Sequence, residues 1–310
     1  MKIALFFILT LLLFNPSRYT LKDKKGSRLS GPSTILWKIT GKESKQPSYL
    51  LGTFHLADAD WLYTYPEIQK AIDETEFILT EAFTTDSTPA FSIPRKDQLK
   101  AIPLLDEEQY ATLDSFFIAR VGEGIKGNQD AENMTVAEMR GAIITTLISE
   151  TKGPNGITNF MDLDLFKYYQ KLGRKGGRLD RVAPSEFDSV AIEHAREYLA
   201  RSLRYIEGSD KSDWNIYHQD GIEDIISRYK AFDLDYKLDQ HADKMELLSD
   251  FDFVPVEERN KNWISKITSM ISTRPTLIAV GLGHLYYRTG VISLLRKDGY
   301  KVEPIILSKK

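Results

Sequence analysis

The sequence predicts an α/β fold in which the two ends of the chain build the core sheet and a large, mainly helical middle lies between them. Three observations predict it. Near each end stands a short apolar run, Tyr49-Leu50-Leu51 and Thr276-Leu277-Ile278-Ala279-Val280, of the kind that buried strands show. Each run leads directly into a Gly-x-x-His turn, Gly52-Thr53-Phe54-His55 and Gly281-Leu282-Gly283-His284, then a helix-like segment and a second strand-like run. Between the two units, apolar residues recur mostly at helical spacing. Strand, His turn, helix and strand at both ends reads as an internal repeat. Strands joined through a helix favour a parallel arrangement with a right-handed crossover.

The elements follow in order. Ile35 to Ile39 alternates as a strand, Gly41 to Pro47 is a polar turn, and Tyr49 to Leu51 returns as its hairpin partner or neighbour. Pro66 opens a helix with Ile68, Ala71 and Ile72 on one face. Phe77-Ile78-Leu79-Thr80 is the next strand, and it ends on Glu81. In the middle, Asp106 with Gln109 and Thr135 with Glu138 are capping boxes, the first followed by Leu113, Phe116 and Phe117, the second by Ile143, Ile144 and Leu147. Gly122 to Gly127 and Gly153-Pro154-Asn155-Gly156 are breaks. Leu163, Phe166, Tyr169 and Leu172 form a helical stripe that stops at Gly173. Gly177 to Val182 suits a short strand, and further helices are expected from Pro184 to about Leu248. A helix over Glu258 to Ser272, burying Trp263, Ile264, Ile267 and Ile271, leads into the second unit. That unit closes with a helix carrying Val291, Leu294 and Leu295 and a strand from Tyr300 to Glu303.

Composition narrows the chemistry. The chain has 310 residues, 42% hydrophobic and 27% charged, enough for a sizeable core without covalent staples. A net charge of -3 gives no broad basic field, so no nucleic-acid partner is expected. The lack of cysteine excludes disulfides, zinc–thiolate sites and cysteine nucleophiles. At the N-terminus, Lys2 precedes an apolar stretch from Ile3 to Phe14, interrupted only by Thr10. A membrane span needs about 20 apolar residues. This shorter run matches the core of a signal peptide, with an uncleaved anchor as the alternative. Residues 1–18 are therefore read as signal peptide or anchor, 19–33 as a linker, and 34–308 as one domain with its helical middle at about 100–272. The body is expected outside the cytoplasm: secreted, periplasmic, or attached to a membrane through residues 3–14.

The His turns suggest a site. In open parallel sheets ligands bind beyond the carboxyl ends of the strands. Gly52 and Gly281 end their strands, where glycine permits a turn and close backbone approach. If the two units pack side by side, His55 and His284 converge, and Glu81 points at the same edge. Two His and one carboxylate make a metal-binding set with open positions for water and substrate. A metal would lower the pKa of bound water and polarise a carbonyl. Glu81 suits either a ligand or a general base. The remaining histidines, His194, His218 and His241, lie on charge-rich helix-like segments and are expected to be solvated, as are Asp58 and Asp60. Glu303, at the corresponding place in the second unit, reads as a surface strand residue.

These motifs resemble the TraB/PrgY/GumN family, which is related to the Tiki metalloproteases. The resemblance runs from Ile35 to Ile306. It includes Leu51-Gly52-Thr53-Phe54-His55, Glu81, the segment Phe160-Met161-Asp162-Leu163-Asp164-Leu165 with Gly173-Arg174, then Arg259-Asn260-Lys261-Asn262-Trp263. It ends with Gly281-Leu282-Gly283-His284 and Gly299-Tyr300-Lys301-Val302-Glu303-Pro304. Phe160 stands where the family has glycine, and Leu179-Asp180 where Leu-Glu is usual, which lowers the expectation for Asp180. The resemblance implies a fold like that of erythromycin esterase and ChaN-type proteins. It also implies a hydrolase of peptides or proteins using Mn, Co or Zn, with His55, His284 and Glu81 at the metal. Arg259 and Asn260 are then expected either to bind an anionic or carbonyl oxygen of the substrate or to cap a helix start. PrgY-like members imply an alternative, a non-catalytic protein that binds or sequesters a peptide pheromone. The ChaN relation suggests, more weakly, an iron- or haem-handling protein.

Overall fold

The computed structural model describes residues 32–42, 46–54, 57, 59–85, 99–136, 138–139, 142–143, 146, 161–180, 189–207, 226–241 and 256–308. His55, Asp58, Phe160 and His218, the N-terminal segment and the break at 153–156 lie outside them. The chain divides into two compact units. One takes in Pro89–Thr158 and Val182–Ile222, the other Leu12–Thr88, Asn159–Arg181 and Glu223–Lys310.

The second unit is α/β and holds one six-stranded sheet. Its strands are β1 (Leu36–Thr40), β2 (Ser48–Thr53), β3 (Phe77–Thr80), β4 (Lys175–Arg178), β5 (Thr276–Gly281) and β6 (Lys301–Ile305), arranged in the order β4-β3-β5-β2-β1-β6. The hairpin expected from residues 35–51 is present, with β1 antiparallel to β2. β2, β5, β3 and β4 run parallel, and β6 joins the far side of β1 antiparallel to it. Every residue of β2, β3 and β5 is buried, as central strands covered on both faces require. The edge strand β6 instead alternates, with Lys301 and Glu303 exposed and Pro304 tolerated where no ladder donor is needed. Helices α1 (Pro66–Asp73), α4 (Met161–Lys171), α6 (Val256–Thr273) and α7 (Val291–Lys297) accompany the sheet within this unit, numbered in chain order with α2, α3 and α5 of the other unit.

Two neighbouring strands, β2 and β5, organise the edge on which the candidate site lies. β2 and β5 lie side by side in parallel, with Gly52 opposite Val280 and Thr53 opposite Gly281. The chain leaves β2 through α1 to β3, stepping across β5. It leaves β5 through α7 to β6, stepping across β2 and β1. β4 sits slightly earlier than the expected Gly177 start, at Lys175. Its pairing with β3 continues past the strand, through Leu179 N–H to Thr80 O at 2.8 Å and Asp180 N–H to Glu81 O at 3.0 Å. Asp180 and Glu81 therefore stand beside each other past the ends of adjacent strands.

The other unit carries α2 (Glu107–Val121), α3 (Gln129–Glu132) and α5 (Ser189–Ile206). Both capping boxes form there. Asp106 Oδ1 accepts from Gln109 N–H at 2.8 Å while Gln109 Oε1 accepts from Asp106 N–H at 3.1 Å. Glu138 Oε2 accepts from Thr135 N–H at 2.7 Å, and Thr135 Oγ1 from Glu138 N–H at 3.2 Å. α2 ends at Gly122 in the left-handed conformation, φ 82°, a backbone state glycine adopts without the Cβ penalty.

Candidate active site

The site is built on α6 and on the ends of β3, β4 and β5. In α6 the buried positions Arg259, Trp263, Ile267 and Ile271 recur every fourth residue and form one inward stripe, with Asn260 beside it. The stripe is apolar over most of the helix, so packing fixes the helix axis. Its first turn then carries a guanidinium and an amide toward the strand ends.

Glu81 lies immediately after β3 and is 4% exposed. Its Oε1 accepts a 2.7 Å hydrogen bond from Gly281 N–H, and its Oε2 accepts one of 2.6 Å from Arg259 Nη2. Arg259 also grips Asp180, Nε to Oδ1 at 3.1 Å and Nη2 to Oδ2 at 2.7 Å. Trp263 Nε1 donates to the same Asp180 Oδ1 at 2.9 Å. One cation thus ties together two carboxylates from neighbouring strand ends. Charge-assisted bonds of this length are about twice as strong as neutral ones and lock the orientation of all three groups.

His284 sits in the short 3-10 turn Leu282–Leu285 that follows β5 and is fully buried. Its ring packs against Trp263 with centroids 4.2 Å apart and planes inclined by 31°. Nδ1 lies 2.6 Å from Asn260 Oδ1. Nε2 lies 3.6 Å from Glu81 Oε2, and among the described residues it has no hydrogen-bond partner. Burial pushes the imidazole below its ordinary pKa. Glu81 opposes that shift and Arg259 adds to it. Burial thus favours the neutral form of the ring.

Asn260 is fully occupied by the protein. Its Nδ2 donates to Thr289 O at 2.9 Å and to His284 O at 3.3 Å, while its Oδ1 faces His284. It contacts the histidine and the backbone around it rather than an open face.

The second glycine turn packs onto Gly52, inside β2. A Cβ at Gly52 would lie 2.7 Å from Leu282 Cδ1 and 3.1 Å from Leu285 Cδ2. Glycine is needed at position 52 because the turn of the second motif packs onto it. Gly281 has φ -51°, so neither its value nor that of Gly52 or Gly283 requires a left-handed conformation. Gly281 contributes its N–H to Glu81, and Gly283 is half-buried in the turn. The carbonyl of Gly52 accepts from Tyr229 Oη at 2.8 Å, and Met161 Sδ receives both Tyr229 Oη at 3.3 Å and Phe54 N–H at 3.5 Å.

Of the residues expected at the site, Glu81, Arg259, Asn260, Gly281 and His284 come together; Gly52 lies against the same turn. His55 is outside the described residues, and among those described no three His, Asp or Glu side chains gather as a metal site. His241 is exposed, as expected. Asp180 and Trp263 were not expected there. Trp263 was signalled by its place four residues after Arg259 on the buried stripe. Asp180 carried only the weaker signal of standing where Leu-Glu is usual, and it owes its place here to lying beside Glu81.

Sheet, strand-end site and helical stripe define an α/β protein whose polar centre lies past the carboxyl ends of parallel strands. The model of the TraB/PrgY/gumN family matches residues 35–304, and the chain belongs to that family. No curated protein and no solved structure matches the chain.

Proposed function

We propose that the chain is a divalent-metal-dependent hydrolase acting on peptides or proteins outside the cytoplasm, delivered there or anchored by its N-terminal segment. The observation that carries this reading is the buried Nε2 of His284, which among the described residues has no hydrogen-bond partner, beside the carboxylate of Glu81. Two donors held about 2.0–2.2 Å from one tetrahedral ion stand roughly 3.3–3.6 Å apart. The 3.6 Å between Nε2 and Glu81 Oε2 fits that separation. The donor types, one imidazole nitrogen and one carboxylate oxygen, suit Zn, Mn or Co. In this reading His55 supplies the third ligand, from the first of two repeated strand–turn–helix–strand units. The pairing of Thr53 with Gly281 supports that expectation, because it starts both turns at the same sheet edge.

A bound ion supplies Lewis acidity toward a carbonyl and lowers the pKa of water. The chain's own residues do the rest. Gly281 N–H and Arg259 hold the two oxygens of Glu81 and fix its rotamer, which favours the ligand role over that of a free base. Arg259, tethered through Asp180, holds positive charge next to the site, where it balances charge developing on a substrate oxygen.

The test is metal analysis of protein purified without a nickel column, followed by peptide-library digestion with Mn2+, Co2+ or Zn2+. Wild type is expected to retain an ion and cleave. His55→Ala and His284→Ala should each lose the ion, and Glu81→Gln should lower turnover by at least 100-fold. Unchanged metal content in both His variants sinks the metal site, and peptide binding without cleavage favours the non-catalytic alternative.

A further inference from the structure

We infer that Asn260 is a positioning residue that fixes His284 in the tautomer with hydrogen on Nδ1, and so presents the Nε2 lone pair toward Glu81. The argument begins with two backbone carbonyls. His284 O and Thr289 O lie 3.3 Å and 2.9 Å from the same end of the Asn260 side chain. Carbonyl oxygens only accept, so that end must be the NH2 group. The reversed amide would set its oxygen against both of them. With Nδ2 so assigned, Oδ1 is the atom 2.6 Å from His284 Nδ1, and an amide oxygen only accepts. Nδ1 must therefore carry the hydrogen. A neutral imidazole has a single N–H, which leaves Nε2 as the bare lone pair.

Each link is held by a further contact. Asn260 is 1% exposed and fixed on α6, so water does not compete for its amide. The Trp263 ring over His284 restrains the imidazole plane. Thr289, one of the two carbonyls that orient the amide, directly precedes Gly290 at the start of α7, where a Cβ would lie 2.4 Å from Tyr286 O. The carbonyl is thus set by a turn that only glycine closes. Metal-ligating histidines usually donate their second ring N–H to an acceptor, which fixes the tautomer and orients the ring. Here the acceptor is a side-chain amide on a helix. The significance of the lone pair rests on the proposed metal site, whereas the tautomer itself can be read without any metal.

Long-range proton–nitrogen NMR of the metal-free, full-length protein tests it directly, with five histidines to resolve. The expected spectrum shows His284 with protonated Nδ1 and unprotonated Nε2. Hydrogen on Nε2, or an even mixture, overturns the assignment in wild type alone. Asn260→Ala should convert the single form to a mixture. An unchanged tautomer in Asn260→Ala also overturns the role of Asn260. Should that variant not fold, the wild-type spectrum still decides. Zinc titration separates this inference from the metal reading. Asn260→Ala is expected to weaken zinc binding about 10–100-fold. An Nδ1–H tautomer without zinc binding sinks the metal site and leaves the lock in place. Zinc binding with hydrogen on Nε2 in the metal-free protein does the reverse.

Discussion

β2 and β5 are neighbours with the same sequence plan, a buried run closing on Gly-x-x-His, yet their ends are finished by different physics. The end of β2 is finished with neutral, bulky groups. Tyr229 caps the Gly52 carbonyl, Met161 sulfur lies under the Phe54 amide, and Leu282 and Leu285 press on Gly52 itself. The end of β5 is finished with charge. Gly281 N–H holds Glu81, Glu81 holds Arg259, and Arg259 holds Asp180. One strand end is set by shape and the other by electrostatics, so a shared sequence motif does not fix how each strand end is stabilised.

Arg259→Leu separates the two ends most sharply. It leaves Glu81 as a buried carboxylate with its cation removed, and the expected loss of stability is about 3–5 kcal/mol by urea unfolding. Asp180→Asn should cost less, because the Asp180 side chain is 23% exposed against 5% for Glu81. If the two variants unfold alike, the charged end does not depend on burial. Gly52→Ala attacks the packed end instead. Its Cβ overlaps Leu282 Cδ1, and a loss of about 1–3 kcal/mol is expected. Adding Leu282→Ala should make the two effects clearly non-additive, since the clash is then relieved.

A pH series sharpens the contrast further. The pKa of His284 is lowered in the folded protein, chiefly by burial, so the unfolded chain binds a proton that the folded chain resists. The associated stability is fully present above the ordinary histidine pKa of about 6.5 and is lost as pH falls below it. Metal-free protein should lose at most about 1.4 kcal/mol per pH unit through this group. His284→Gln should flatten the dependence in that window; an unaltered slope would assign it to other groups. The smallest expected effect belongs to the neutral cap. Tyr229→Phe removes one hydrogen bond to Gly52 O, and thermal melts should show a loss of about 1 kcal/mol.

Local patterns in the sequence were reliable guides where a single element carries its own signal. Asp106 and Gln109 form their reciprocal cap, Pro66 opens its helix, and Glu81 follows β3 as its position indicates. The site was legible where its residues end strands or share a helical stripe, as Glu81, His284 and Arg259 do. Asn260 was legible as a site residue, but its contacts are with His284 and two carbonyls, and these depend on where the turn after β5 meets α6. Asp180 was hidden for a similar reason. A carboxylate after a short Gly-Gly strand has no pattern of its own, and only strand pairing brings it beside Glu81.

The sequence by itself determined the α/β class, the two glycine turns and the residue types available for chemistry, because period, caps and composition are properties of short stretches of chain. Tertiary structure decided the rest. The β2–β5 pairing joins residues more than 200 positions apart, and no local signal specifies which distant strand will be the neighbour. That pairing places Leu282 on Gly52 and Gly281 N–H on Glu81, and the docking of α6 against the same edge gives His284 its amide partner.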